Sequence, residues 1–214
     1  MGEARCQDHH TQLACQQGHY IATPCRGPKG CARTDAGVSC DISKNKPGDA
    51  CSTDDEGAAV CLDNKQMIAC RGGKYRLQKC RGPEGCQTEG ARAKCDTSIS
   101  VPGDNCHEPG SKACSTDGTQ LLACQDGKMT LVNYCRGEDG CTAAAGGKLG
   151  CDMSVAKEGD PCDKSVLGRI ACSADRTGIV KCDHGKFKSD EKCKSGKKCS
   201  TADGNIACEK PDKR

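Results

Sequence analysis

Twenty-three cysteines in 214 residues are the side chains in this sequence whose type and spacing point most directly to chemistry. Three chemistries compete for them: disulfides, structural zinc and covalent haem. Structural zinc favours knuckles in which two cysteines stand two to four residues apart, and here no two cysteines are closer than six positions. Covalent haem needs a Cys-x-x-Cys-His run, and Cys106-His107 lacks the earlier cysteine. Disulfides are left, and cysteine at this density implies an oxidising compartment.

The cysteines also carry a period, which has to be read before any local element is assigned. Three sets of six align: Cys51, Cys61, Cys70, Cys80, Cys86 and Cys95; Cys106, Cys114, Cys124, Cys135, Cys141 and Cys151; Cys162, Cys172, Cys182, Cys193, Cys199 and Cys208. A fourth set, at the N-terminus, has Cys6, Cys15, Cys25, Cys31 and Cys40, which match the second to sixth positions. Five residues always separate the fourth and fifth cysteines, and ten separate each sixth cysteine from the next first one. The units predicted from this frame are 1–46, truncated and with five cysteines, then 47–101, 102–157 and 158–214. An odd total leaves one thiol over. The first copy, lacking its opening cysteine, is where it should lie, with Cys15 the first candidate and Cys6 the second. How the six cysteines of a complete unit pair is not decided by their order.

The composition explains why such staples are needed. Leu, Ile, Val and Phe together number 23, about a tenth of the chain, and there is no Trp. Units of about 55 residues with so little apolar surface do not hold themselves together. Each closed loop of ten or more residues is worth roughly 3 kcal/mol in the chain-entropy view, so two or three per unit substitute for a core.

Between the cysteines one hairpin grammar repeats. Asp8, Asp63, Asp117 and Asp175 each stand seven residues before the third cysteine, a turn signal strengthened in the third copy by Gly118. Leu13, Ile68, Leu122 and Val180 stand two residues before it, as in a strand with one buried face. Gly18, Gly73, Gly127 and Gly185 make the next turn, followed by a basic or imidazole residue and then a large side chain: Tyr20, Tyr75, Met129 or Phe187. Three of the chain's four aromatic residues occupy that last position. Two readings are open there. The side chain fills the space between disulfides, or it is a platform on which a sugar or another flat ligand stacks. A thioether fills space well and stacks poorly, so Met129 favours the core reading.

The loop between the fourth and fifth cysteines reads Arg26-Gly27-Pro28-Lys29-Gly30, Arg81-Gly82-Pro83-Glu84-Gly85 and Arg136-Gly137-Glu138-Asp139-Gly140, relaxing to Lys194-Ser195-Gly196-Lys197-Lys198. Its leading cation either grips an anionic partner or is a solvated or backbone-bonding residue. The linkers carry paired aspartates, Asp41 with Asp49, Asp96 with Asp104 and Asp152 with Asp160. These either cap turns through backbone amides or supply oxygens to calcium.

No catalytic constellation is evident. The five histidines do not recur at one equivalent position, and no Gly-x-Ser-x-Gly, phosphate loop or His-Glu-x-x-His is present. A formal net charge of +3, spread along the chain, is not the concentrated basic face that nucleic acid requires. No transmembrane run, secretory signal or lipid-attachment sequence is visible, and Met1 opens inside a unit, as expected where an export signal has been removed.

The run Gly-Asp-x-Cys, Cys-Ser-x-Asp-Gly-x-x-Leu-Leu-x-Cys, Cys-Arg-Gly-x-x-Gly-Cys, Cys-Asp-x-Ser resembles an uncharacterised cysteine-rich tandem repeat of bacterial secreted proteins and lipoproteins, over nearly the whole chain. That resemblance implies export and surface display. More distantly, Cys114–Cys141 is similar to the cysteine-rich chitin-binding modules at the ends of fungal chitinases, in which an aromatic residue follows the glycine where Tyr20, Tyr75, Met129 and Phe187 stand here.

The fold expected is therefore small, disulfide-rich and mainly β: four tandem units of short antiparallel hairpins, arranged as beads or a semi-rigid rod. The function expected is that of a non-enzymatic secreted, periplasmic or cell-surface protein, a spacer or adhesive module without cofactors or metals. Its partner would be a surface, a polysaccharide or a protein, and self-association is left open. The alternatives are a carbohydrate-binding module for chitin or peptidoglycan using one aromatic position per repeat, and a subunit of an extracellular fibre.

Overall fold

The computed structural model describes residues 3–35, 37–89 and 92–210. The fold is mainly β and disulfide-rich, built from short antiparallel sheets. Each copy has the same two parts, a three-stranded meander followed by a two-stranded ribbon. In the second copy the meander is Ala59–Asp63, Gln66–Arg71 and Lys74–Lys79, and the ribbon pairs Cys86–Glu89 with Arg92–Cys95. The first copy uses Ala4–Asp8, Thr11–Gln16 and His19–Pro24, then Cys31–Thr34 with Gly37–Cys40.

Eleven disulfides use twenty-two of the cysteines, and one pairing recurs: first with third, second with fifth, fourth with sixth. The first of these ties the incoming linker to the middle strand of the meander. The other two tie the meander to the ribbon, as Cys61–Cys86 and Cys80–Cys95 do. Sequence separations run from 15 to 27 residues, a range over which each closure stabilises by about 3 kcal/mol in the chain-entropy view. In the first copy Cys6–Cys31 and Cys25–Cys40 form, and Cys15 is the free cysteine.

The chain divides into two compact units, 1–97 and 98–214. Within the second, both copies acquire an additional strand, because residues of the preceding linker pair in parallel with the first strand of the meander. Ile99 lies opposite Cys114, and Val155 opposite Cys172. The linkers are thus structural parts of the copies that follow them. These copies also carry one more residue in the first turn and one more in the last strand of the meander. A bulge absorbs the second insertion: Leu121 faces Asn133 but Leu122 faces Leu131, leaving Val132 unpaired. In the first two copies the irregularity lies in the first hairpin instead, at Cys6/Asp8 and Cys61/Asp63.

The middle strand differs from the sequence-based expectation of one buried face. Met67, Ile68, Ala69 and Cys70 are all buried, and so are Leu121, Leu122, Ala123 and Cys124. Ile68 and Cys70 pack with Tyr75 and Cys51 on one side, while Met67 and Ala69 meet Cys80 and the ribbon on the other. The ribbon folds over the second face because the Cys61–Cys86 and Cys80–Cys95 bonds hold it there. In the second, third and fourth copies two small cores therefore share one strand.

Candidate functional site

The large side chain after the second glycine turn is core in three copies and surface in one. Tyr75, Met129 and Phe187 are 1%, 5% and 2% exposed, whereas Tyr20 is 47% exposed. The linker before each complete copy accounts for the difference. Tyr75 N–H donates to the Asp49 carbonyl at 2.8 Å, and Gly48 N–H donates to the Tyr75 carbonyl at 2.8 Å. Met129 exchanges the same pair of bonds with Asp104 and Gly103, and Phe187 with Asp160 and Gly159. The glycines have φ of +93°, +86° and +88°, a left-handed turn that favours glycine. Three residues after each glycine the first cysteine of the copy bonds to the third, directly across the hairpin from the large side chain. Burying such a side chain contributes about 2–3 kcal/mol.

In the first copy the same strand pair presents Cys15 opposite Tyr20, with no linker strand against them among the described residues. The Arg5 guanidinium lies 4.7 Å from the Tyr20 ring centroid, a cation–π contact on an exposed ring.

Linker aspartates fall into two sets. Asp41, Asp96 and Asp152 cap the loop between the fourth and fifth cysteines, accepting from the backbone N–H of Lys29, Glu84 and Asp139. Asp41 also accepts from Ser43 N–H at 3.0 Å, and its carboxyl is held below the ordinary range by the Ser43 hydroxyl and the Lys29 amide. Asp49 and Asp160 cap the turn before the first cysteine, accepting from Lys46 and Lys157 N–H.

These second aspartates also meet the cation of the preceding loop, an interaction that the sequence reading did not assign. Arg26 Nε and Nη2 donate to Asp49 at 2.8 and 3.0 Å, and Arg136 Nε and Nη2 donate to Asp160 at 2.6 and 3.1 Å. Arg26 holds the Asp49 carboxyl below its usual range. Arg136 further stacks over Tyr134, 4.3 Å from its centroid. A constant signal for this clamp was present in the sequence. Arg after the fourth cysteine and Asp before the next first cysteine are joined by loops of nearly fixed length.

At the end of the fourth copy Lys194 stands where Arg136 stands in the third, and Glu191 where Asn133 does. With Ile179, Lys197 and Ile206 they line an open groove of about 340 Å³. In the third copy the equivalent end is engaged, since Asn133 Oδ1 accepts from Asp163 N–H at 2.9 Å.

Among the described residues no three His, Cys, Asp or Glu side chains are grouped to hold a metal. His9 and His10 pack edge to face at 4.9 Å, and His184 sits beside Asp183 on the surface. No helix among the described residues is long and apolar enough to cross a membrane. No protein-family model, curated protein or solved structure matches the chain.

Proposed function

We propose that this chain is a non-enzymatic structural spacer and interaction module of an oxidising, extracytoplasmic compartment. The observation that supports this most directly is the use to which the polar and aromatic groups are put. The aspartates, Arg26 and Arg136, and three of the four large side chains close turns, join a loop to the following linker or fill the gap beneath a disulfide. Groups used in this way are not available as a nucleophile, base and orienting residue around a common substrate position. The resemblance to repeats of secreted proteins and lipoproteins points to the same compartment.

A carbohydrate-binding role using one ring per repeat has less to support it, because Tyr75 and Phe187 are covered and Tyr20 alone offers a stacking face. Retention on insoluble chitin and peptidoglycan separates the two readings. The spacer reading expects the chain in the unbound fraction. Retention that disappears in Tyr20→Ala would replace it with a single-site glycan-binding module.

A further inference from the structure

We propose that the second copy carries a binding site for a doubly charged oxyanion, a phosphate or a phosphate ester, formed by Arg71, Lys74 and Arg76. The three residues lie on one face of the hairpin around Gly72-Gly73. Arg71 stands directly opposite Lys74, and Ala69 opposite Arg76, so the three cations take adjacent positions on that face. Cβ atoms of residues directly opposite one another are about 5 Å apart, and residues two along one strand are about 7 Å apart. One phosphate group is therefore within reach of all three long side chains.

At the equivalent positions of the two later copies the side chains satisfy each other. Thr130 Oγ1 donates to Gln125 Oε1 at 2.9 Å in the third copy, and Lys188 Nζ donates to Asp183 Oδ2 at 2.7 Å in the fourth. In the second copy the same diagonal joins two cations, Arg71 and Arg76, and Arg76 Nε turns instead to the Arg71 carbonyl at 3.3 Å. Arg71 Nε is buried with no hydrogen-bond partner among the described residues, and none of the three cations is in an ion pair there. Glu56 accepts from the neighbouring Gly72 N–H at 3.0 Å. In the first copy Gln16 Nε2, at the position of Arg71, is also buried without a partner. This position thus leaves a donor uncovered in two copies, and in the second copy the donor belongs to a charged group.

Like charges directly opposite each other destabilise a sheet, and a buried donor left unpaired is costly, more so when it is charged. An oxyanion relieves both. The planar guanidinium fork matches the oxygens of a phosphate, and Lys74 and Arg76 supply further positive charge on the same face. Three cations without a carboxylate among them suit a group with two negative charges better than a single carboxylate. The fourth copy also has three lysines on this face, Lys181, Lys186 and Lys188, but Asp183 stands among them.

The inference gives the interaction-module reading a ligand chemistry and rests on it; glycan retention is a separate measurement, so the two can fail independently. The test titrates the full, isotope-labelled chain with inorganic phosphate and, separately, with polyphosphate, at constant ionic strength so that screening does not change. NMR should show saturable shifts of the Arg71 Nε–H and of the amides of residues 71–76, larger than those caused by acetate. Arg71→Gln should weaken phosphate binding by about tenfold, the worth of one charge-assisted hydrogen bond. Gln stands at this position in the first and third copies, so the hairpin is expected to form, with Cys51–Cys70 intact. Phosphate should raise the melting temperature of the unsubstituted chain and leave that of the variant nearly unchanged. Tighter binding of polyphosphate per phosphate group would assign the site to a phosphate-bearing polymer, and equal binding to a single phosphate. Undiminished affinity in Arg71→Gln would overturn the proposal. So would shifts at Lys186 and Lys188 as large as those at Lys74 and Arg76, since the anion would then be reading lysines in general.

Discussion

The Asp152 carboxyl occupies the space into which a side chain on Gly137 would project. Asp152 is anchored there by Ser154 N–H at 2.9 Å, and its carbonyl accepts from Gly137 N–H at 2.9 Å. The same collision would arise between Gly27 and Asp41, and between Gly82 and Asp96. The fourth copy has Ser195 and Glu209 at the two positions, so both members of the pair change together. Gly137→Ala should therefore destabilise the second compact unit by about 1–3 kcal/mol through overpacking. In an Asp152→Ala background the same substitution should cost clearly less, because neighbours that collide are not additive. Denaturant unfolding of the four proteins with disulfides intact gives the cycle; strict additivity would show that the glycine serves only the backbone.

The two Arg–Asp clamps differ in burial and should differ in worth. Arg136 and Asp160 side chains are 28% and 9% exposed, against 46% and 12% for Arg26 and Asp49. Removing one partner strands a charge, and the penalty grows as water is excluded, whereas exposed pairs contribute about 0–1 kcal/mol. Arg136→Ala should consequently lower stability by roughly 1–3 kcal/mol and Arg26→Ala by clearly less. Amide exchange of Gly159 and Phe187, which the Asp160 turn protects, should speed up in the first variant. An equal loss in both variants would mean that burial of the ion pair does not set its worth.

Asp175 provides the pH dependence. The Ser173 hydroxyl, then the Thr177 amide and hydroxyl, hold its carboxyl down to about 2. A folded-state value below the unfolded one means that the folded chain binds fewer protons in the interval between them. The contribution is thus complete above the ordinary carboxylate range and is lost as pH falls towards 2. Asp117, held by Ser115 and Thr119, shifts in the same direction. Carboxyl carbon shifts followed by NMR should show Asp175 titrating near 2, with Thr177 amide exchange rising over the same interval, and a normal midpoint would remove the turn from the acid response.

Much of this architecture was legible in the sequence because cysteine spacing reports loop lengths directly. Repeat frame, hairpins and the turn aspartates follow from it. Disulfide connectivity was not legible, since it depends on the ribbon folding back over the meander, a tertiary event that local spacing does not encode. Burial of Met67 and Leu121 was missed for the same reason: alternation along a strand cannot reveal a second covering layer. The contrast between Tyr20 and Tyr75 was also hidden, because the same residue in equivalent hairpins has a linker strand beside it in one copy and Arg5 over its ring in the other.

Cys15 is the remaining test of the frame itself. If the first cysteine of each copy always bonds to the third, a copy lacking its first must leave its third unpaired, and Cys15 is that residue. Under denaturing, non-reducing conditions the chain should react as a single thiol, and peptide mapping should find the label at Cys15. In an oxidising medium without a partner, that thiol should become capped or join two chains. The dimer should then vanish in Cys15→Ser while the second, third and fourth copies keep their three disulfides each. A label found in the fourth copy, or mixed pairing between neighbouring copies, would mean that the linkers close the units in a different register from the one seen at Cys51–Cys70.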